Sequence, residues 1–340
     1  SQLWAVPDGI DDRVAVLIEP LATAIHSVFR ARIPEGADVL VVSERADEEY
    51  ARLLPLIGVS LWTGALDGAT PEAVLAHAPE VIVASPGFAP THPLVSWART
   101  QGIALWGDIE LAWRVRDKVV DAMGRAAEWI LITGTNGKTT TTQLTAHLLA
   151  AGGLRAAPCG NIGVPVLDAV RDPAGFDALV VELSSHQLWY LGLQPGPDPV
   201  SPHASVCLNL ADDHLEWHGS FEAYRDAKAH VYDHTRVACV YNKADLATLK
   251  MVEDADVVEG ARAVGYDLGV PGPSDLGVVE GILVDRAFHD DRHHSALELS
   301  TVAELAAAGL GAPHMVSNIL AAAALARSLG VAPEAIHEAL

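Results

Sequence analysis

Trp129-Ile130-Leu131-Ile132-Thr133-Gly134-Thr135-Asn136-Gly137-Lys138-Thr139-Thr140 is the stretch whose reading decides the fold. An apolar run enters a glycine-bounded turn, and a helical pattern over residues 143–150 leaves it. This order reads as a phosphate loop. Glycines let the backbone turn tightly and aim its amides at phosphate oxygens, the helix N-terminus adds positive potential, and a lysine and a hydroxyl complete the site. The reading predicts ATP as ligand, held by Gly134, Thr135, Asn136, Gly137, Lys138, Thr139 and Thr140. Lys138 would grip phosphate and Thr139 would face Mg²⁺. The spacing, GxxGKT, is two residues shorter than the general GxxxxGK[ST]. The alternative is a Gly/Thr-rich turn between a strand and a helix.

Around the loop, short β-rich runs alternate with helical stretches, the signature of α/β folds with parallel sheets. Strands are expected over residues 14–18, 39–42, 81–84 and 103–105, with helices over 46–54, 93–100 and 107–115. A charged helical stretch over 117–127 would link this block stiffly to the next. Beyond the loop, strands are expected at 178–182, 206–210 and 237–241. A hairpin around Glu280 and Gly281 should span 277–288, and an alanine-rich helix 314–329. The fold class is therefore α/β. A Rossmann-like parallel-sheet domain over 1–125 precedes a central P-loop ATPase-like α/β domain over 126–340.

The 340 residues suffice for two domains with sizeable cores. A net charge of −22 argues against nucleic-acid or acidic-membrane partners. Only five lysines occur, Lys118, Lys138, Lys228, Lys243 and Lys250, so a lysine inside a glycine loop stands out. Cys159, Cys207 and Cys239 lie far apart, which suits a reduced compartment. With no leader-like N-terminus and no long uncharged run, a cytoplasmic protein is expected.

Two segments fall at expected strand ends, where doubly wound sheets bind ligands. Glu182 would offer a hard oxygen to a nucleotide-bound Mg²⁺, or be an ordinary polar strand end. Asn209-Leu210-Ala211-Asp212-Asp213-His214-Leu215-Glu216-Trp217-His218-Gly219 concentrates acids and imidazoles just past another strand. His214 and His218 have i, i+4 spacing, but Glu216 is misplaced for HExxH and no third zinc ligand is evident. The histidines of residues 289–294 read as a solvated loop.

These motifs together resemble the Mur ligases. The resemblance rests on GTNGKTTT, Gly160-Asn161-Ile162-Gly163, Glu182-Leu183-Ser184-Ser185-His186-Gln187-Leu188, residues 209–219 and Ala227-Lys228. In the first block it rests on Val83-Ala84-Ser85-Pro86-Gly87 and Gly107-Asp108-Ile109-Glu110-Leu111. The shorter loop is the form that family uses. The branch most resembled joins D-glutamate to UDP-N-acetylmuramoyl-L-alanine (UDP-MurNAc-L-Ala) in peptidoglycan precursor synthesis. ATP would phosphorylate the acceptor carboxylate, and the amine would attack the acyl phosphate.

Carried over residue by residue, the resemblance implies four catalytic residues, Lys138, Glu182, His214 and Lys228. Lys138 holds the β/γ phosphates, Thr139 and Glu182 bind a first Mg²⁺, and His214 helps place a second. Lys228 matches the lysine that takes up CO₂ as a carbamate and so becomes a metal ligand; otherwise it is a surface lysine on a helix over 221–232. Asn161, Ser184 and His214 would contact the muramoyl substrate, although Asn161 and Ser184 could equally serve as turn or cap residues. Asn318 would contact adenine. A monomer is expected.

Three departures qualify the carry-over. Ile18-Glu19-Pro20-Leu21-Ala22-Thr23 replaces a glycine-rich loop that would receive uridine diphosphate, and Pro20 removes an amide donor. The HNxxN motif reads His314-Met315-Val316-Ser317-Asn318, with Met315 in place of the first asparagine. The family's third domain would fall after Leu340, so the chain is expected to bind ligands with little turnover. Alternatives are another Mur ligase, a folylpolyglutamate synthase-like ligase, or a catalytically silent nucleotide-binding module.

Overall fold

The computed structural model describes residues 38–43, 52, 54–66, 68–193 and 198–340. The expected strand at 14–18, the Glu19-Pro20 loop and most of the expected helix at 46–54 lie outside the described residues. The chain divides between Arg116 and Asp117 into two compact units.

In the first unit, β1 (Val39–Ser43) pairs in parallel with β2 (Val59–Thr63), and β3 (Val81–Val83) with β4 (Ala104–Trp106). The helices are α1 (Glu72–His77), α2 (Pro93–Gln101) and α3 (Asp108–Arg114). α2 starts where His92 accepts the Leu94 amide and Pro93 presets the first turn, and it stops at Gly102 in the left-handed region. β2 and α1 were not anticipated from sequence, being short and weakly patterned.

The second unit carries β5 (Glu128–Thr133), α4 (Lys138–Ala151), β6 (Ala156–Gly160), α5 (Val166–Ala169), β7 (Ala178–Glu182), α6 (Ser185–Leu191) and β8 (Ala204–Cys207). Then follow α7 (Leu215–His218), α8 (Phe221–Ala229), β9 (Ala238–Asn242), α9 (Leu246–Asp254) and β10 (Arg262–Tyr266). The chain continues through β11 (Asp275–Val279), β12 (Ile282–Asp285), β13 (Leu297–Thr301), α10 (Val302–Ala307), α11 (Pro313–Ser328) and α12 (Pro333–Ala339). All strands join one sheet in the order β13-β12-β11-β10-β9-β8-β5-β7-β6. The run from β6 to β11 is parallel, and β12 and β13 finish the edge antiparallel.

β7 and β8 are buried throughout, and β5 from Trp129 onward, as near-continuous apolar strands are when helices cover both faces. α11 packs on α4 and on β8 to β11, and its alanine run lets the backbones approach closely. The β11–β12 hairpin turns at Glu280 and Gly281, both in the left-handed region that a two-residue turn requires.

Two expectations are corrected. Residues 117–127 do not form a stiff helix: a single 3-10 turn, Arg116–Lys118, precedes a turn in which the Asp121 carboxylate accepts the Met123 and Arg125 amides. That side chain competes with helical bonding. The strand expected at 206–210 ends at Cys207, because the backbone beyond it turns to bond the phosphate loop and Asp245. Among the described residues, no helix is long and apolar enough to cross a membrane.

Candidate active site at the carboxyl ends of β5, β7 and β8

The loop after β5, the third strand from the β6 edge, lies where α4 leads the chain to β6 on one side while β8 lies on the other. Gly134 and Gly137 adopt φ of 149° and 87°, conformations that favour glycine. A Cβ on Gly137 would lie 2.8 Å from Asn318 Oδ1, so α11 delivers Asn318 against the loop. Met315 packs against the hydrophobic core instead of taking a polar role. The loop opens directly into α4, whose first amides are the anion-binding end of the helix. Lys138 Nζ folds over the loop and donates to Gly134 O (2.9 Å) and Thr135 O (3.1 Å). Thr139 and Thr140, half-buried, follow in the first turn.

Glu182 ends β7 in register with Ile132 of β5 and Gly160 of β6, and only 2% of it is exposed. Asn161 Nδ2 donates to Glu182 Oε1 at 3.2 Å, which brings the GNIG turn onto the carboxylate. Ser184 N-caps α6 in a capping box with Gln187, so its hydroxyl is already engaged in local structure.

Lys228, on α8, is 2% exposed. Its ammonium donates to Thr133 Oγ1 (3.1 Å) and to Gly134 O (2.9 Å), the carbonyl that Lys138 also uses, and it lies 5.0 Å from the Tyr224 ring centroid. The surface-lysine alternative is thus excluded. Burial lowers its pKa from 10.5 to about 8; the neighbouring Lys138 charge also acts downward, while Cys207 and Asp213 act upward. Between those pH values the unfolded chain binds more protons than the fold, so the penalty for burying this charge is full below pH 8 and relieved as pH rises to 10.5. Lys228→Met removes this titration, so the stability gap between it and the parent should shift by an amount on the order of 3 kcal/mol in the parent's favour as denaturant unfolding is repeated from about pH 8 up to 10.5. A pH-independent gap would remove the buried-charge account.

His214, in the left-handed region at the start of α7, is partly exposed and lies 3.5 Å from Asp213. Its ring contacts His186, which also packs on Trp217 and His218. His218 Nε2 meets Ser185 Oγ at 2.9 Å, and burial, with the neighbouring His186, His214 and Lys228 charges, pushes its pKa to about 4.

Among the described residues, no three His, Cys, Asp or Glu side chains converge as a metal cage. The donor chemistry nevertheless fits Mg²⁺ bound through nucleotide phosphates and water: one buried carboxylate at a strand end beside a phosphate loop, with hard oxygen donors.

A match to the Mur ligase middle domain runs over residues 132–326, more than half of the chain. The chain belongs to the Mur ligase family. A UDP-N-acetylmuramoylalanine–D-glutamate ligase of Leifsonia xyli subsp. xyli is 62% identical over 96% of this chain and 63% of its own length. The enzyme of the same name from Streptomyces avermitilis is 48% identical over 94% of this chain and 63% of its own length. This Mur ligase chain therefore spans less than two thirds of the relatives it matches. The solved structure of a UDP-N-acetylmuramoyl-L-alanyl-D-glutamate–2,6-diaminopimelate ligase covers 76% of this chain and 58% of its own, at a TM-score of 0.50 and 20% identity, a likeness of fold.

Thr133, Asn209 and Tyr224 were not singled out from sequence. Tyr224 carried a signal, one helical turn before Lys228 on α8. The others meet partners across long stretches of chain.

Proposed function

We propose that this Mur ligase chain works in ATP-dependent amide ligation, activating the terminal carboxylate of UDP-MurNAc-L-Ala for attack by the amine of D-glutamate. The observation that carries the reading is the convergence of a lysine-bearing phosphate loop, buried Glu182 and buried Lys228 at the carboxyl ends of adjacent strands. A carboxylate is a poor electrophile because hydroxide cannot leave. Transfer of the γ-phosphoryl group makes the leaving group, and the amine then displaces phosphate, so the protein's task is positioning and charge neutralisation.

Lys138 is assigned to the β/γ phosphates, and the first amides of α4 to the same oxygens. Asn318 is assigned to the adenine side of the loop. Thr139 and Glu182 are assigned to a first Mg²⁺, and His214 and Lys228, the latter as its carbamate, to a second. Mg²⁺ supplies neutralisation of phosphate charge. The lowered pKa of Lys228 supports this use, because a neutral amine is the form that takes up CO₂. Asn161, Ser184 and His214 are assigned to the muramoyl acceptor. The unit ending at Arg116 would bind the UDP moiety, and the whole would act as a cytoplasmic monomer.

Titration with a non-hydrolysable ATP analogue and Mg²⁺ tests the nucleotide half of the reading. Saturable, Mg²⁺-dependent binding that prefers adenine over guanine nucleotides is expected. No nucleotide binding by the folded chain would overturn it.

A further inference from the structure

The segment leading to His214 is tied to the phosphate loop through Asn209 and through the side chain of Thr135. Asn209, just past β8, accepts the Asn136 amide on Oδ1 (2.8 Å) and donates from Nδ2 to Asn136 O (3.0 Å), while its own carbonyl accepts the Thr135 amide (2.9 Å). A side-chain amide thus pairs with the tip of the loop as a strand neighbour would. Two residues on, the Ala211 amide donates to Thr135 Oγ1 (3.0 Å), and that hydroxyl also lies 2.9 Å from the Tyr224 hydroxyl on the helix that bears Lys228.

On the opposite side the same short segment is fixed to β9 and its exit. Asn242 Nδ2 donates to Leu208 O (2.9 Å), and Asp245 Oδ2 accepts the Leu210 amide (2.8 Å). Residues 208–211 are therefore held from both sides, and Asp212 and Asp213 alone separate this anchor from His214. The Asn136 amide, being taken by Asn209, is committed to structure, which leaves the amides of Gly137 and the first turn of α4 for phosphate.

We infer that Asn209 is a positioning residue that couples the phosphate loop to the His214 segment, so that nucleotide binding orders residues 212–218. The inference rests on the reading of the loop as a nucleotide site. It reaches further, because it assigns to Asn209 the transmission of nucleotide occupancy to the acceptor side. A ligand that stiffens the loop must stiffen whatever shares its hydrogen bonds, and the two sites then gain a coupling free energy.

Hydrogen exchange with and without the ATP analogue and Mg²⁺ tests this. In the parent chain, nucleotide should slow exchange in both 134–140 and 212–218. In Asn209→Ala the loop should retain its protection while that of 212–218 falls, the bonds of Thr135 to the residue 209 carbonyl and to Ala211 remaining, with nucleotide affinity about tenfold weaker. Asn209→Asp keeps an acceptor for the Asn136 amide but faces Asn136 O with an anionic oxygen. It should show the same loss, and it serves if the alanine variant does not fold. Asn209→Gln, which restores the amide, should recover part of the protection. Protection of the parent loop without 212–218, or full protection of 212–218 in either disrupting variant, overturns the inference alone. No nucleotide effect anywhere in the folded parent overturns the nucleotide reading, and this inference with it.

Discussion

Replacing Lys138 with alanine should weaken binding of an ATP analogue with Mg²⁺ by about 100-fold, since one or two charge-assisted bonds to phosphate are lost. The fold should barely respond. Among the described residues, Lys138 Nζ bonds only the loop carbonyls of Gly134 and Thr135, and Gly134 O keeps its bond from Lys228. The unfolding temperature of Lys138→Ala should stay within about 3 °C of the parent. Calorimetry and thermal unfolding on one preparation separate the two effects. Unchanged affinity in a stable variant would mean that the loop lysine does not serve phosphate.

The second large effect is on the carboxylate side. Gly160 ends β6 at φ 109°, paired with Glu182, and a Cβ there would fall 2.4 Å from Glu182 O and 3.1 Å from Glu182 N. Backbone cannot yield as a flexible side chain can, so Gly160→Ala should cost about 3 kcal/mol through left-handed strain and displacement of β7. The Glu182 carboxylate would move with its strand. Gly163→Ala is the matched control: it also has a positive φ, 81°, but nothing lies within 4 Å of the added methyl. Its cost should be about 1 kcal/mol. Denaturant unfolding of the two variants compares them, and equal losses would remove the close approach at Glu182 as the cause.

What sequence could show was governed by distance along the chain. The phosphate loop, the Glu182 strand end and the hairpin at Glu280 and Gly281 are local patterns, and each forms where its pattern placed it. The setting of Lys228 was not local: its partners Thr133 and Gly134 lie on another element, and from its own helix it read as a surface lysine. Family resemblance, not periodicity, marked it. Asn209 was visible as the first residue of an acid- and histidine-rich segment, but its bonds to Asn136 depend on β8 lying beside β5. The same dependence ended β8 earlier than its apolar run suggested. Ser184 shows the converse, a residue expected at the substrate whose hydroxyl also closes a capping box. In the charged stretch 117–127, one aspartate that bonds its own backbone outweighed the helical composition.

The most direct measurement is calorimetric titration of the chain with UDP-MurNAc-L-Ala, in the presence of Mg²⁺ and a non-hydrolysable ATP analogue, against UDP-MurNAc and a UDP-MurNAc-tripeptide. The account predicts selective binding of the L-alanyl form, because the site is read as one that holds and phosphorylates that terminal carboxylate. Nucleotide binding with no preference for the L-alanyl form, or with no muramoyl ligand bound at all, would contradict it.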